Sequence, residues 1–304
     1  MPDNNSDKVL IAGGSGLIGR HLAKALTNDG YKVRILTRNP GRQSPYPVFY
    51  WDIDKMQMDE SALAGVDIVI NLAGEPIADK RWTTTLKKKI LDSRVHSTAL
   101  LHDAISQRPT RPKAFIAASG IGFYGQNTKQ TPYLESDPPG DDFLGKTCVA
   151  WENASHKMEA LGFRTVILRT GVVLSREGGA LPKMTMTRKL GFVNALGSGK
   201  QYFPWIHIDD MVGIYRFAIK NPIEGIFNAV APALTTQNEF INMVAEHLKR
   251  TIRLPNVPAF LIKILMGEMA VLVLEGSPVS SEKIIKAGYE FKYPYLSSGL
   301  GSGS

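Results

Sequence analysis

Three features of the chain predict an α/β fold, a doubly wound parallel sheet carrying a smaller, mainly helical C-terminal lobe. Short apolar runs alternate with amphipathic stretches of helical period from Lys8 to Arg169, which is the pattern of parallel strands joined by helices. A glycine-rich turn joins the first run to the first helix. From Thr170 the alternation loosens into glycine-containing loops, and from Thr235 the pattern is mainly helical.

Lys8-Val9-Leu10-Ile11-Ala12 reads as a buried parallel strand and Leu17 to Leu26 as the helix after it. Between them lies Gly13-Gly14-Ser15-Gly16-Leu17-Ile18-Gly19. Glycine at these spacings admits a tight turn, a pyrophosphate against backbone N–H groups, and close packing of helix on strand, as in Rossmann-like dinucleotide sites. A glycine-rich turn without a ligand is the alternative. Lys32 to Leu36 forms the second strand and ends at Thr37-Arg38. No carboxylate stands there to accept from a ribose 2′-OH, whereas the Arg38 guanidinium suits a 2′-phosphate, which favours NADP over NAD. A solvated loop arginine is the competing reading.

Val48 to Trp51 is the third strand, with Asp52 where an adenine edge would lie, and a short helix is expected at Met58 to Ala64. Val66 to Ile70 is the fourth strand, and the small residues of Asn71-Leu72-Ala73-Gly74 would let backbone pass close to a cofactor. On the long helix expected at Thr84 to Ser106, Arg94 shares the apolar stripe of Leu86, Ile90, Ser97, Leu101 and Ile105. An inward arginine needs a partner, either a cofactor phosphate or an internal carboxylate.

Ala114 to Ala118 is the fifth strand, Asp141 to Leu161 a helix, and Thr165 to Arg169 the sixth strand. Gly178-Gly179 and Gly191 to Gly199 read as loops of the smaller lobe. A helix at Met211 to Ile219, a strand at Gly225 to Val230 and two short helices around Gly267 follow. The expected division is residues 1–170 with about 206–234 as the nucleotide-binding unit, and about 171–205 with 235–300 as the smaller lobe. Residues 301–304 read as a linker or tag remnant.

Composition narrows the function class. A chain of 304 residues, 43% hydrophobic, can bury a core without covalent staples. Cys148 is the single cysteine, so no internal disulfide framework exists. The polar Met1 to Asp7 segment lacks a signal-peptide core, and the apolar stretch Phe260 to Leu274 is too short to span a bilayer. A cytoplasmic location without membrane or metal is the expectation. Although the net charge is +8, Lys87-Lys88-Lys89 is the one dense basic run and has no interleaved aromatics, which argues against nucleic acid.

The ordered set of the glycine loop, Asn71-Leu72-Ala73-Gly74, Tyr124-Gly125, Arg169-Thr170-Gly171 and Ile206-His207-Ile208-Asp209-Asp210 resembles the extended short-chain dehydrogenase/reductase superfamily over nearly the whole chain. More narrowly, Asn71 to Ile77, Phe203 to His207 and the Pro255 to Pro294 tail are similar to an epimerase-like subfamily often labelled "cell division inhibitor". The resemblance implies that Thr37, Arg38, Leu72, Ala73 and Arg94 hold NADP(H), and that Trp205 lines a pocket facing the nicotinamide. The full candidate cofactor set is Gly13, Gly16, Leu17, Ile18, Gly19, Thr37, Arg38, Asp52, Leu72, Ala73, Gly74, Arg94, Ala118 and Arg169. Superfamily members also pair through the two long helices, which makes a homodimer an expectation.

Active members of that superfamily use a Tyr-x-x-x-Lys pair, in which lysine lowers the tyrosine pKa and holds the ribose. Alignment on Gly145-Lys146 and Glu152 puts Leu144 and Cys148 at those positions, and no tyrosine in the chain has lysine four residues later. The expected serine position is Gly120, with Ser119 one place early, and Phe203-Pro204 replaces the diphosphate-binding Arg-Asp of sugar-nucleotide epimerases. Tyr124 and Ser119 are the catalytic candidates, beside Glu135, Asp137, Lys146 and His207. A tyrosine wall beside the cofactor is the simpler role for Tyr124, a loop-fixing role the simpler one for His207, and a core role the simpler one for Cys148. Three readings follow: an oxidoreductase or epimerase-type enzyme acting on a small, fairly apolar molecule, a non-catalytic NADP(H)-sensing module, and a partner of nucleic acid or the division apparatus.

Overall fold

The computed structural model describes residues 7–41, 43–125, 130–184, 194–247 and 255–301. The chain runs β1 (Lys8–Ala12), α1 (Leu17–Asn28), β2 (Lys32–Thr37), β3 (Val48–Asp52), β4 (Gln57–Met58), β5 (Ile68–Asn71), α2 (Thr84–Ser106), β6 (Ala114–Gly120), α3 (Phe143–His156) and β7 (Arg164–Thr170). It continues through β8 (Val172–Ser175), β9 (Gly178–Gly179), α4 (Ala180–Met184), β10 (Trp205–His207), α5 (Ile208–Lys220) and β11 (Gly225–Ala229). The helices α6 (Gln237–His247), α7 (Ala259–Met266), α8 (Val271–Leu274), α9 (Glu282–Lys286) and α10 (Leu296–Gly301) complete the described chain.

Eight strands form one sheet in the order β11-β7-β6-β5-β1-β2-β3-β4. Every neighbouring pair is parallel except β3 with β4. The chain builds outward from β1 to β3, then returns to the other side of β1 at β5, so the order reverses between β1 and β5. Ligands of open α/β sheets bind at the carboxyl ends of the strands at such a reversal.

Both faces of β1 are buried, which explains its unbroken apolar run. Val9 and Ile11 pack with Leu22, Leu26, Ile214 and Tyr215 beneath α1 and α5. Leu10 and Ala12 pack with Leu101, Ile105, Phe115 and Ile167 on the opposite face. The period of two in a strand therefore feeds two separate cores.

The expected helix at Met58 to Ala64 is a strand followed by one tight turn of helix at Glu60–Leu63. Met58 pairs with Trp51, and the Asp59 carboxylate accepts from the Ser61 N–H at 3.0 Å, which caps a turn too short for an α-helix. The helix expected at Asp141 to Leu161 is α-helical to His156 and tightens over Lys157–Leu161 before Gly162 stops it. The smaller lobe is not wholly helical. Gly178-Gly179, expected as loop, is β9 in a three-stranded sheet of order β10-β8-β9. Of the loop expected at Gly191 to Gly199, residues 191–193 lie outside the described residues, as do most of Met1 to Asp7 and Ser302 to Ser304. Gly301, expected in the linker, closes α10.

Asp210 on α5 ties the tail to this framework. Its carboxylate is 1% exposed and accepts from the Tyr289 hydroxyl at 3.0 Å and from the N–H groups of Lys292 and Tyr293 at 2.8 and 2.9 Å. Replacing Asp210 with alanine leaves the buried Tyr293 N–H and the half-buried Lys292 N–H without their acceptor and costs about 3 kcal/mol in denaturant unfolding, with a smaller loss for Asp210→Asn. A loss below about 1 kcal/mol for Asp210→Ala contradicts this role.

Candidate functional site

The glycine turn is held so tightly that no side chain fits it. Gly13 has φ of +79°, and a Cβ there would stand 2.8 Å from the Leu72 carbonyl carbon and 2.9 Å from the Ala73 nitrogen. A Cβ on Gly14 would meet the Ile35 side chain at 2.9 Å, and one on Gly19 would meet the Gly13 oxygen at 2.5 Å. Backbone therefore lies on backbone where β1, α1 and the end of β5 meet. Gly16 opens α1 without a side-chain cap. The first N–H groups of α1, at Leu17 and Ile18, are thus left without a side-chain cap beside the crevice between β1 and β5, the arrangement in which helix starts receive anions.

Asn71 fixes the other wall, a role the sequence reading missed. Its side chain is fully buried, accepts from the Ala73 N–H at 3.1 Å, and donates to the hydroxyls of Ser97 and Thr98 at 3.2 and 3.1 Å. Leu72-Ala73-Gly74 is thereby bolted to α2. The available signal was an asparagine ending a purely apolar strand.

At the end of β2, Thr37 accepts from the Asn39 N–H at 3.2 Å. Arg38 is exposed, and no hydrogen bond or ion pair engages its guanidinium among the described residues. Asp52, expected at the adenine edge, turns its carboxylate to its own loop instead, accepting from the N–H groups of Asp54 and Lys55 at 3.1 and 3.2 Å.

Of the two partners expected for Arg94, the internal carboxylate is not within ion-pair distance among the described residues. Arg94 donates to the carbonyls of Glu75 and Ile90 at 3.1 and 2.9 Å and stacks 4.9 Å over Trp151, while Glu75 pairs with Lys89 at 3.6 Å. Burial lowers its pKa from the usual arginine value. A Cβ on Gly74 would stand 3.1 Å from the guanidinium carbon, so glycine is what lets this cation reach the end of β5.

The reaction half is closed inward. Arg169, 2% exposed, donates to both oxygens of Glu152 at 2.9 Å, to the Tyr124 hydroxyl at 3.0 Å and to the Glu135 carbonyl at 3.2 Å. Ser119 donates to Glu152 at 2.7 Å, and Tyr124 donates to Asn228 at 2.7 Å while stacking on Tyr133. The side chains of Ser119, Tyr124 and Arg169, expected as catalytic and cofactor-binding groups, are thus joined in one buried network. Burial pushes the Tyr124 phenol up to about 12, with Arg169 acting against the rise. Glu152, Asn228 and Glu135, whose carboxylate accepts from the Asn228 N–H at 2.8 Å, were not picked out for this network from sequence.

Other candidates take structural positions. Ala118 is a buried β6 residue paired with Leu168. Trp205, expected to line the pocket, is 1% exposed in the smaller lobe's core and donates to Thr235 at 3.2 Å. His207 caps α5 by accepting from the Asp209 N–H at 3.2 Å, and burial lowers its pKa. Asp137 accepts from the Leu134 N–H at 2.9 Å, and Lys146 is exposed. Leu144 stands against Gly122, and the Cys148 thiol is pushed up to about 12 by burial, with Glu152 adding to the rise. Among the described residues no cluster of His, Cys, Asp and Glu could hold a metal, and no helix is long and apolar enough to cross a membrane.

A sequence profile of the NAD dependent epimerase/dehydratase family matches residues 9–229, the span that contains the whole crevice. The chain belongs to this family. A second profile, a domain of unknown function (DUF1731), matches residues 257–302. Among relatives within the epimerase family, mouse epimerase family protein SDR39U1 is 37% identical, with 96% of this chain and 98% of that protein covered. Epimerase family protein YfhF of Bacillus subtilis is 35% identical, with 96% of each covered. The crystal structure of human SDR39U1 (isoform 2) with NADPH superposes with a TM-score of 0.85 at 33% identity, over 96% of this chain and 97% of that one. UDP-glucuronic acid 4-epimerase of Bacillus cereus shares the fold, with a TM-score of 0.76 at 20% identity over 96% of each chain.

Two outcomes follow from the buried network. Arg169→Met strands the Glu152 carboxylate and costs about 3 to 5 kcal/mol in urea unfolding, while Arg169→Met with Glu152→Met recovers much of that loss. Equal losses for the single and double variants contradict the pairing. With its thiol raised to about 12, Cys148 stays almost wholly protonated at pH 8 and resists alkylation by iodoacetamide until denaturant is added. Rapid labelling of the folded protein contradicts this burial.

Proposed function

We propose that this protein binds NADP(H) in the crevice between β1 and β5 and performs oxidoreductase or epimerase-type hydride chemistry on a small, fairly apolar molecule. The observation that carries the reading is the cradle at Gly13 and Gly19, where a Cβ would collide with backbone at 2.8 and 2.5 Å. Such a surface suits a pyrophosphate lying along the start of α1. The NADPH in the human relative, at 33% identity, supports the same choice of cofactor.

In this reading the N–H groups of Leu17 and Ile18 bind the pyrophosphate, and Leu72, Ala73 and Gly74 form the opposite wall. Thr37 and Arg38 take the 2′-phosphate end, the guanidinium supplying positive charge where a ribose-reading carboxylate would repel the phosphate. When bound, the cofactor supplies or accepts the hydride. Arg94 stacks 4.9 Å over Trp151 of α3, and Cys148, three residues earlier on that helix, stands where the superfamily's lysine is missing. We assign Arg94 the lysine's ribose-holding role, delivered from α2 instead of α3.

A second reading, a non-catalytic NADP(H)-sensing module, is favoured by one observation. Tyr124 and Cys148 both have pKa values raised to about 12, and the Ser119 hydroxyl is committed to Glu152 at 2.7 Å, so this buried set offers no proton relay near neutral pH. NADPH oxidation by the wild-type protein against a panel of apolar ketones and aldehydes separates the two. Turnover that falls at least about tenfold in Arg94→Ala supports the enzyme reading. Tight NADPH binding with no turnover on any compound supports the sensor and overturns the enzyme. In either case Arg38→Ala weakens NADPH by about tenfold and leaves NADH within a factor of about two; equal losses for both cofactors contradict the 2′-phosphate role.

A further inference from the structure

Arg20 is a cation without a carboxylate partner among the described residues, standing at the opening of α1. Its Nη1 donates to the Ser15 carbonyl at 3.3 Å, which folds the side chain back over the glycine turn instead of out along the helix. That turn rests on the end of β2. Ala12 pairs with Leu36 across the two strands, and a Cβ on Gly14 would meet the Ile35 side chain at 2.9 Å. Adjacent strands run about 4.8 Å apart, so the segments leaving them, Gly13 to Ser15 and Thr37-Arg38, lie side by side.

The helix faces agree with this placement. Ile18 and Ala25 are half-covered against the core shared with α5, while Arg20, Lys24 and Thr27 form the exposed flank. Arg20 and Arg38 are both exposed, and among the described residues the Arg20 guanidinium makes no other hydrogen bond and the Arg38 guanidinium makes none. Two unneutralised guanidinium groups on neighbouring segments repel each other until a multiply charged anion sits between them. Guanidinium forks also match phosphate oxygens in geometry.

We propose that Arg20 is the second arm of a two-arginine clamp on the cofactor 2′-phosphate, opposite Arg38. The inference rests on the NADP(H) reading above and adds a residue that sets its selectivity for the phosphorylated cofactor. The pyrophosphate has its own donors in the α1 N–H groups, whereas the bond to Ser15 draws Arg20 toward the β2 side.

The test is calorimetric titration of NADPH, NADH, 2′,5′-ADP and 5′-ADP into wild type, Arg20→Ala, Arg20→Lys, Arg38→Ala and the double alanine variant. Unliganded melting temperatures check that each variant is folded. Arg20→Ala should weaken NADPH and 2′,5′-ADP by about five- to tenfold and leave NADH and 5′-ADP unchanged, with Arg20→Lys between. The double variant should bind NADPH and NADH almost equally. Because the 2′-phosphate gains its second charge near pH 6, the preference of wild type for 2′,5′-ADP should grow from pH 5 to 7, and grow less in Arg20→Ala. Equal losses on all four ligands would move Arg20 to the pyrophosphate and overturn the proposal, as would no loss on any. If Arg38→Ala loses selectivity and Arg20→Ala does not, the clamp falls while the cofactor reading stands. If wild type binds none of the four ligands, the cofactor reading itself falls.

Discussion

The site depends on a backbone-to-backbone contact. Where Gly13 passes the Leu72-Ala73 peptide there is no room for a single carbon, and one turn later Gly19 lies equally close to Gly13 and Gly14. These contacts bring the start of α1 down onto the sheet and hold its uncapped N–H groups in the crevice between β1 and β5. Asn71 secures the facing wall by hydrogen bonds into α2. Neither wall depends on a charged side chain, so the cradle is preorganised before any anion arrives.

The half of the molecule that would do chemistry follows a different logic. Glu152 and Arg169 form a buried ion pair that absorbs Ser119 and Tyr124, and the network continues through Asn228 to Glu135. Buried pairs of this kind fix a geometry more than they add net stability. The result here is a rigid floor beneath the crevice, joining β6, β7, α3 and β11. With Leu144 and Cys148 at the positions of the missing pair, Arg94 reaches over from α2 through the gap that Gly74 leaves.

Much of this was legible in the residues alone. Continuous apolar runs, glycine spacing and the lack of a carboxylate at Thr37-Arg38 are local signals, and each lies where its pattern puts it. The strands β8, β9 and β10 were not legible, because two to four residues are too few to show a period and Trp205–His207 finds its partner only in the folded chain. Trp205 illustrates the same limit: the family resemblance implies a pocket wall, but its indole N–H has Thr235 to bond and the ring is buried. Arg169 and Glu152, 17 positions apart, carry no mutual signal in the chain, and only the packing of α3 on β7 turns two charged residues into one buried pair.

The central claim is that the glycine cradle and the carboxylate-free end of β2 together select a phosphorylated dinucleotide. Thermal unfolding of the purified protein with NADPH, NADP, NADH or NAD tests it most directly. At about a hundred times its dissociation constant a ligand adds roughly 2.7 kcal/mol to folding stability, which reads as a clear rise in Tm. The account predicts that rise for NADPH and NADP, with little or none for NADH and NAD at the same concentration. A rise of equal size for all four, or for none, would contradict it.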